Sequence, residues 1–211
     1  TATGSVDRLI IYLLNSSTFG SYTGDGSSGI LVDCCQLEAG SFATSYIPTT
    51  SASATRSADV CQITGSDFSS FWNATEGSIV AEFDYQGTIF GGAIRVAESA
   101  SGNQSVSFST NGSNLNVEVY SATNGGTQAS FTASPLAVGA LNKIASAFAA
   151  NNFAASFNGA TVLTDTSGAM PVNPVAAYIG NPGGVWINGH ITRLRYYPSR
   201  LTNAKLQELS T

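Results

Sequence analysis

The chain has 211 residues, enough for one substantial core, and carries a formal net charge of −5 with only 10% charged residues. Its eight Lys and Arg are scattered apart from Arg193, Arg195 and Arg200, which leaves no basic footprint for nucleic acid. No apolar run approaches the roughly 20 residues that a membrane helix needs; the longest, Val6 to Leu14, is broken by Asp7 and Arg8.

Hydrophobic residues make up 43% of the chain, with 11 Phe, 8 Tyr and 2 Trp, so the composition is that of a globular protein and not a disordered one. The abundant Gly, Ser, Thr and Asn are poor helix formers that suit strands and tight turns. The chain opens at Thr1 with no signal-peptide pattern, which reads as a processed or excised chain.

In chain order, Asp7–Leu14 and Gly29–Leu37 read as strands around the turn-rich stretch Tyr22–Ser28. Residues 49–55, Thr-Thr-Ser-Ala-Ser-Ala-Thr, read as a linker. Strands then recur at Ser78–Gln86, Ile89–Val96, Gln104–Ser109 and Leu115–Tyr120, separated by Gly-, Asn- and Ser-rich breaks. Lys143–Ala149 has helical propensity from its alanines but is assigned as a strand, because the meander needs a partner there. Phe153–Phe157, Asn158-Gly159 and Ala160–Leu163 form the clearest hairpin. Asn-Gly supplies the two positive φ values of a type I′ turn, and alternation puts Phe153, Ala155 and Phe157 on one face. Near the end, Thr202 caps a predicted helix over Asn203–Ser210, with Leu201 and Leu206 at its staple positions. Many short strands and one terminal helix predict an all-β fold, an antiparallel jelly-roll sandwich with one short C-terminal helix.

The three cysteines, Cys34, Cys35 and Cys61, are not a disulfide framework. They read as unpaired thiols, with a bridge from Cys61 to Cys34 or to Cys35 as the alternative. Metal binding through them lacks partners, since His190 is the one histidine and no CxxC is present.

Two stretches go beyond pattern. The segment Gln36-Leu37-Glu38-Ala39-Gly40-Ser41-Phe42-Ala43-Thr44-Ser45-Tyr46-Ile47-Pro48-Thr49, with Tyr22–Gly29 upstream, resembles the closing strand and exit of the carbohydrate-binding-module-like jelly rolls of tailed-phage tail and tail-fibre proteins. Ala54–Val60, Glu76–Phe83 and Gly189–Thr202 resemble the concanavalin-A-like, laminin-G-like domain that follows in the same proteins. The resemblance implies that residues 1–48 are terminal strands of the first module, 49–55 the linker and 56–211 the concanavalin-A-like sandwich. It implies a module at the virion surface, hence extracellular, whose partners are host or environmental glycans, cell-surface polysaccharide and other virion proteins. It leaves a homo-oligomer open and implies no catalytic residue, because sandwiches host lectins, hydrolases and spacers alike. The cysteines depart from the family pattern, which has small or aromatic residues at their positions.

For chemistry, Glu82-Phe83-Asp84-Tyr85-Gln86 is the segment to test. Laminarinase-type glycosidases on this fold carry three carboxylates on one strand face, and retaining hydrolysis needs two of them about 5–5.5 Å apart. Glu82 and Asp84 fit, but Gln86 stands where the third carboxylate belongs, so an ordinary strand is the favoured reading. His190 lies in a Gly-His turn and no Gly-x-Ser-x-Gly elbow accompanies it. Asp25 and Asp165 offer isolated oxygens only, so no metal ligands are assigned and calcium stays the one cofactor option.

Sugar binding calls for exposed aromatics beside amides, which stack on a ring and bond its hydroxyls. The Gly-rich run Asn181–Asn188 provides Trp186 with Asn181 and Asn188, and Tyr85 completes the candidate set. The rival reading of that run has Trp186 covering the core edge and Asn188 making a turn with Gly189. Trp72 is assigned to the core. The overall expectation is a glycan-binding surface module, with a purely structural virion domain and a glycan hydrolase as alternatives.

Overall fold

The computed structural model describes residues 26–27, 31–37, 45–55, 60–86, 91–100, 102–111, 114–133, 135–180 and 187–211. The chain divides into two compact units, Thr1–Ala58 and Asp59–Thr211.

In the first unit, residues 31–37 and 45–49 carry no strand assignment, so the predicted strand Gly29–Leu37 is not found over its described part; the predicted strand Asp7–Leu14 lies outside the described residues. The two segments are tied by one side chain. Gln36 Oε1 accepts from the Ile47 amide at 2.7 Å, and its Nε2 donates to the Ser45 carbonyl. Cys34 has a positive φ of 54°, with its amide donating to Asp33 Oδ1. All three cysteines are free and exposed.

The second unit runs β1 (Cys61–Thr64), α1 (Gly65–Ser69), β2 (Glu76–Asp84), β3 (Gly91–Ala97), β4 (Gln104–Asn111), β5 (Asn114–Ser121), a single 3-10 turn (Ala122–Asn124), β6 (Gly126–Ala133), β7 (Leu141–Ala149), β8 (Phe153–Phe157), β9 (Leu163–Asp165), β10 (Ala176–Ile179), β11 (Ile191–Tyr197) and α2 (Asn203–Leu209). The strands form a six-stranded sheet, ordered β1-β10-β3-β4-β5-β6, and a five-stranded sheet, ordered β11-β2-β7-β8-β9. Every pairing is antiparallel. The all-β jelly-roll expectation therefore holds.

Side-chain alternation builds the core. In β5, Leu115, Val117 and Val119 are buried while Asn116, Glu118 and Tyr120 between them are half-exposed, the period of two that a half-buried strand requires. Cross-strand rows such as Ala177–Val96–Val106–Val119–Ala129 line the inner face of the six-stranded sheet. Against them pack Ile79, Ala81, Phe83, Ile144, Phe148, Phe153 and Phe157 of the five-stranded sheet.

β2, β7 and β8 are buried on both faces, which explains why Ile79-Val80-Ala81 and Ala145–Ala147 show little polar alternation. The second face belongs to α2. Val80, Ala145, Ala147 and Ala154 form a small cluster with Leu206, joined by Leu201 and Leu209. The alanines let the helix approach closely, and Leu206 is fully buried, worth about 1.5–3 kcal/mol. The predicted cap is present: Thr202 Oγ1 accepts from the Lys205 amide at 3.3 Å. The helix ends one residue earlier than predicted.

Lys143–Ala149 is a strand, as assigned. Asn158 and Gly159 take φ values of 49° and 74°, as the turn demands. A two-residue turn would set Ala155 opposite Val162, but Leu163 stands there, so the return arm holds one extra residue and pairs only from β9. This corrects the predicted return strand Ala160–Leu163.

Candidate functional site

The predicted carboxylate strand is an ordinary sheet strand with its acids engaged. Glu82 Oε1 accepts from Arg193 Nη1 at 2.9 Å. Asp84 Oδ1 accepts from the His190 amide at 2.8 Å, and its carboxylate lies 3.1 Å from His190 Nδ1. These contacts, the amide bond first, hold the Asp84 carboxyl below its ordinary range. An acid held in its ionised form by a fixed donor is unsuited to donate a proton.

The same alternation that places Glu82 and Asp84 outward places Tyr85 inward. Tyr85 is 1% exposed and packs in the main core, which removes it as a stacking platform for sugar. Asn188 is exposed, and its carbonyl extends the β2–β11 ladder by accepting from the Gln86 amide at 2.6 Å. Trp186 and Asn181 lie outside the described residues. The structure thus keeps Asn188 at the surface and buries Tyr85 in the core. Asp165 Oδ1 closes its own turn on the amide and hydroxyl of Ser167, and among the described residues no three metal-ligating side chains converge.

A different site forms where β1 ends. Thr64 opens α1, a five-residue helix whose Phe68 is buried at the end of the sandwich. Phe68, Phe71 and Trp72 follow one another at helical spacing, and Trp72 stacks on Phe68, Phe148 and Tyr196 with ring centroids 5.2–5.7 Å apart. Trp72 is therefore half-buried in core contacts, as assigned from the sequence. Beside it lies an open cavity of about 450 Å³, lined by Phe68, Trp72, Tyr178, Val175 and Pro174 with Thr64 and Ser69. That volume lies within the range of small-molecule sites.

Trp72 Nε1 is buried with no hydrogen-bond partner among the described residues, an unmade bond worth about 1–3 kcal/mol. The Thr64 hydroxyl does not cap α1. The lining combines apolar groups, three of them the aromatics Phe68, Trp72 and Tyr178, with a few hydroxyls and no charged group. Such a surface suits a ring with one apolar face and hydroxyls around its edge. Sequence reasoning missed it because it joins the one-turn helix α1 and the residues after it to two four-residue strands, β1 and β10, none long enough to show a period; its one legible signal is the Phe68–Trp72 aromatic run.

Tyr178 joins this cavity to the outer face of the six-stranded sheet. The core rows fix the opposite parity as outward, and there Gln62, Tyr178, Arg95, Ser107, Glu118 and Ser130 stand side by side across all six strands. Neighbours in such a row are about 5 Å apart. Over the center of the other sheet α2 packs instead.

No protein-family model matches this chain, and no curated protein matches its sequence. Solved structures do match in fold. The CBM40 of Ruminococcus gnavus IT-sialidase, bound to α2,3-sialyllactose, superposes with a TM-score of 0.55 at 15% identity, over 66% of this chain and 84% of that one. The NanB sialidase of Streptococcus pneumoniae gives 0.57 at 18% identity, over 72% of this chain and 27% of that one. The heptameric SAP-like pentraxin of Limulus polyphemus gives 0.51 at 11% identity, over 65% and 70%. At these identities the likeness establishes the architecture: the chain carries an antiparallel jelly-roll sandwich of the kind used by these proteins.

Proposed function

We propose that the second unit is a non-catalytic glycan-binding module whose ligand seats a sugar ring in the cavity beside α1. The observation that carries this reading is the cavity itself, lined by Phe68, Trp72 and Tyr178 with the hydroxyls of Thr64 and Ser69. The fold likeness to a carbohydrate-binding module bound to sialyllactose supports it. The tail-protein motifs at Gln36–Thr49 and Gly189–Thr202 support a place at a virion surface, with residues 1–48 as the closing strands of a preceding jelly roll. Glu82 and Asp84, each held by a neighbouring side chain, give the hydrolase alternative no free acid.

A purely structural role is the second reading. It is favoured by the first unit, where Leu31, Val32 and Leu37 are exposed apolar residues suited to cover by another protein. A glycan-array screen of the intact chain, alongside Tyr178→Ala and Asn188→Ala, tests both. Binding lost in Tyr178→Ala and kept in Asn188→Ala supports the cavity. Binding lost only in Asn188→Ala moves the site to the Asn188 end of the sandwich, and an array with no binding leaves the structural role.

A further inference from the structure

Arg95 lies on the outer face of the six-stranded sheet, in β3, directly opposite Tyr178 of β10. Its Nη2 donates to the carbonyl of Gly102, in the connection between β3 and β4. Nε is buried with no acceptor, and no carboxylate pairs with the guanidinium among the described residues. The neighbouring carboxylates are occupied or distant. Glu98 Oε1 accepts from the Asn103 amide, and Glu118, whose backbone lies two strands away, accepts from Thr127 Oγ1 and makes no direct bond to Arg95. Burial holds Arg95 below its ordinary range, with Glu118 opposing the shift.

A half-buried cation with no direct salt-bridge partner among the described residues carries a desolvation cost that an arriving anion relieves. The side on which the anion arrives is also set. Toward β4 and β5 the row leads to Glu118, which repels it; toward β10 the row leads to Tyr178 and the cavity. The connection that fixes Arg95 is itself tightly built, since a Cβ at Gly102 would come within 2.6 Å of Glu98 Cγ. The planar fork of arginine, held by one carbonyl, keeps other N–H groups for a carboxylate or a sulfate.

We propose that the ligand is an anionic glycan, with a sugar ring in the cavity lined by Trp72 and Tyr178 and a carboxylate or sulfate substituent beside Arg95. This rests on the cavity reading above and adds the ligand's charge. The site then selects on two features set about one strand apart. Electrostatic attraction is local, because the chain as a whole is negative and gives no long-range steering toward anions.

The test is a calorimetric titration of the intact chain with lactose, 3′-sialyllactose and 3′-sulfolactose, repeated on an array of matched neutral and acidic glycans. The expected result is an acidic glycan bound at least tenfold more tightly than its neutral counterpart. That preference falls to within twofold in Arg95→Met, survives in part in Arg95→Lys, and weakens severalfold between low and high salt. Preference for the carboxylated over the sulfated probe, or the reverse, identifies the substituent. Thermal melts of both variants check folding, and Arg95→Lys keeps the charge test readable if Arg95→Met unfolds. The inference is overturned if neutral and acidic partners bind equally, or if Arg95→Met retains the full preference. Neutral glycans bound through Tyr178 with no acidic preference would overturn this inference alone, and an array with no binding at all would overturn the glycan reading with it.

Discussion

Gly189 lies against Asp84: a Cβ on Gly189 would sit 2.2 Å from the Asp84 carbonyl oxygen and 2.8 Å from its Oδ1. The contact joins the end of β2 to the start of β11 beyond their paired residues, where the Asp84 amide donates to the His190 carbonyl at 2.9 Å. The Gly-His dipeptide is thus a packing requirement. Gly189→Ala must push the backbones of two strands apart, and the expected loss is about 2–3 kcal/mol, within the range for overpacking. Urea unfolding checks it, and a loss below about 0.5 kcal/mol would mean that the two strands part easily.

The Asp84 carboxylate, hydrogen-bonded to the His190 amide and ring, gives a pH signature. Its folded pKa is lowered, so its stabilising contribution is present above the unfolded value of about 3.9 and is lost as pH falls through the folded value. Wild type should therefore exceed Asp84→Asn in stability at pH 6, and the gap should shrink as pH drops below about 4. Paired denaturation curves at pH 6 and pH 3 read the gap directly.

Helix α2 is the cover of the five-stranded sheet, and one residue anchors it. Leu206→Ala empties the space between Val80, Ala145 and Ala154 and should cost about 2–5 kcal/mol. Thr202→Ala, which removes only the cap on the Lys205 amide, should cost about 1 kcal/mol. If both variants cost the same small amount, α2 contributes little packing.

How far the sequence revealed these features depended on the length and period of each element. β5, β8 and α2 were legible because each shows its period and its punctuation: alternating valines, Asn158-Gly159, and Thr202 before a leucine pair. β1 and β10 were not, because four residues such as Ala176–Ile179 fit a strand or a loop equally well. Tyr85 was misjudged as a surface aromatic, although the alternation of Glu82, Asp84 and Gln86 puts it on the opposite face with Phe83. Arg95 was invisible as a site residue because its significance lies in what stands opposite it, Tyr178, which is remote in sequence and brought near only by the pairing of β10 with β3.

The cavity makes a separable prediction about binding and stability. Trp72 is stacked in the core, so Trp72→Ala should destabilise by about 3–5 kcal/mol and is a poor probe of ligand contact. Tyr178 is half-exposed on the outer sheet face, so Tyr178→Ala should change stability by less than about 1 kcal/mol while reducing glycan affinity at least tenfold. Calorimetry on a folded variant separates the two effects.

The most direct test of the glycan site is the indole N–H resonance of Trp72 in a ¹H–¹⁵N spectrum, recorded during titration with the strongest glycan found on the array. The chain has two tryptophans, so Trp186→Phe assigns the pair. A shift of the Trp72 resonance that saturates with ligand is the predicted result. A Trp72 resonance that stays fixed while the glycan binds would contradict a ring in this cavity.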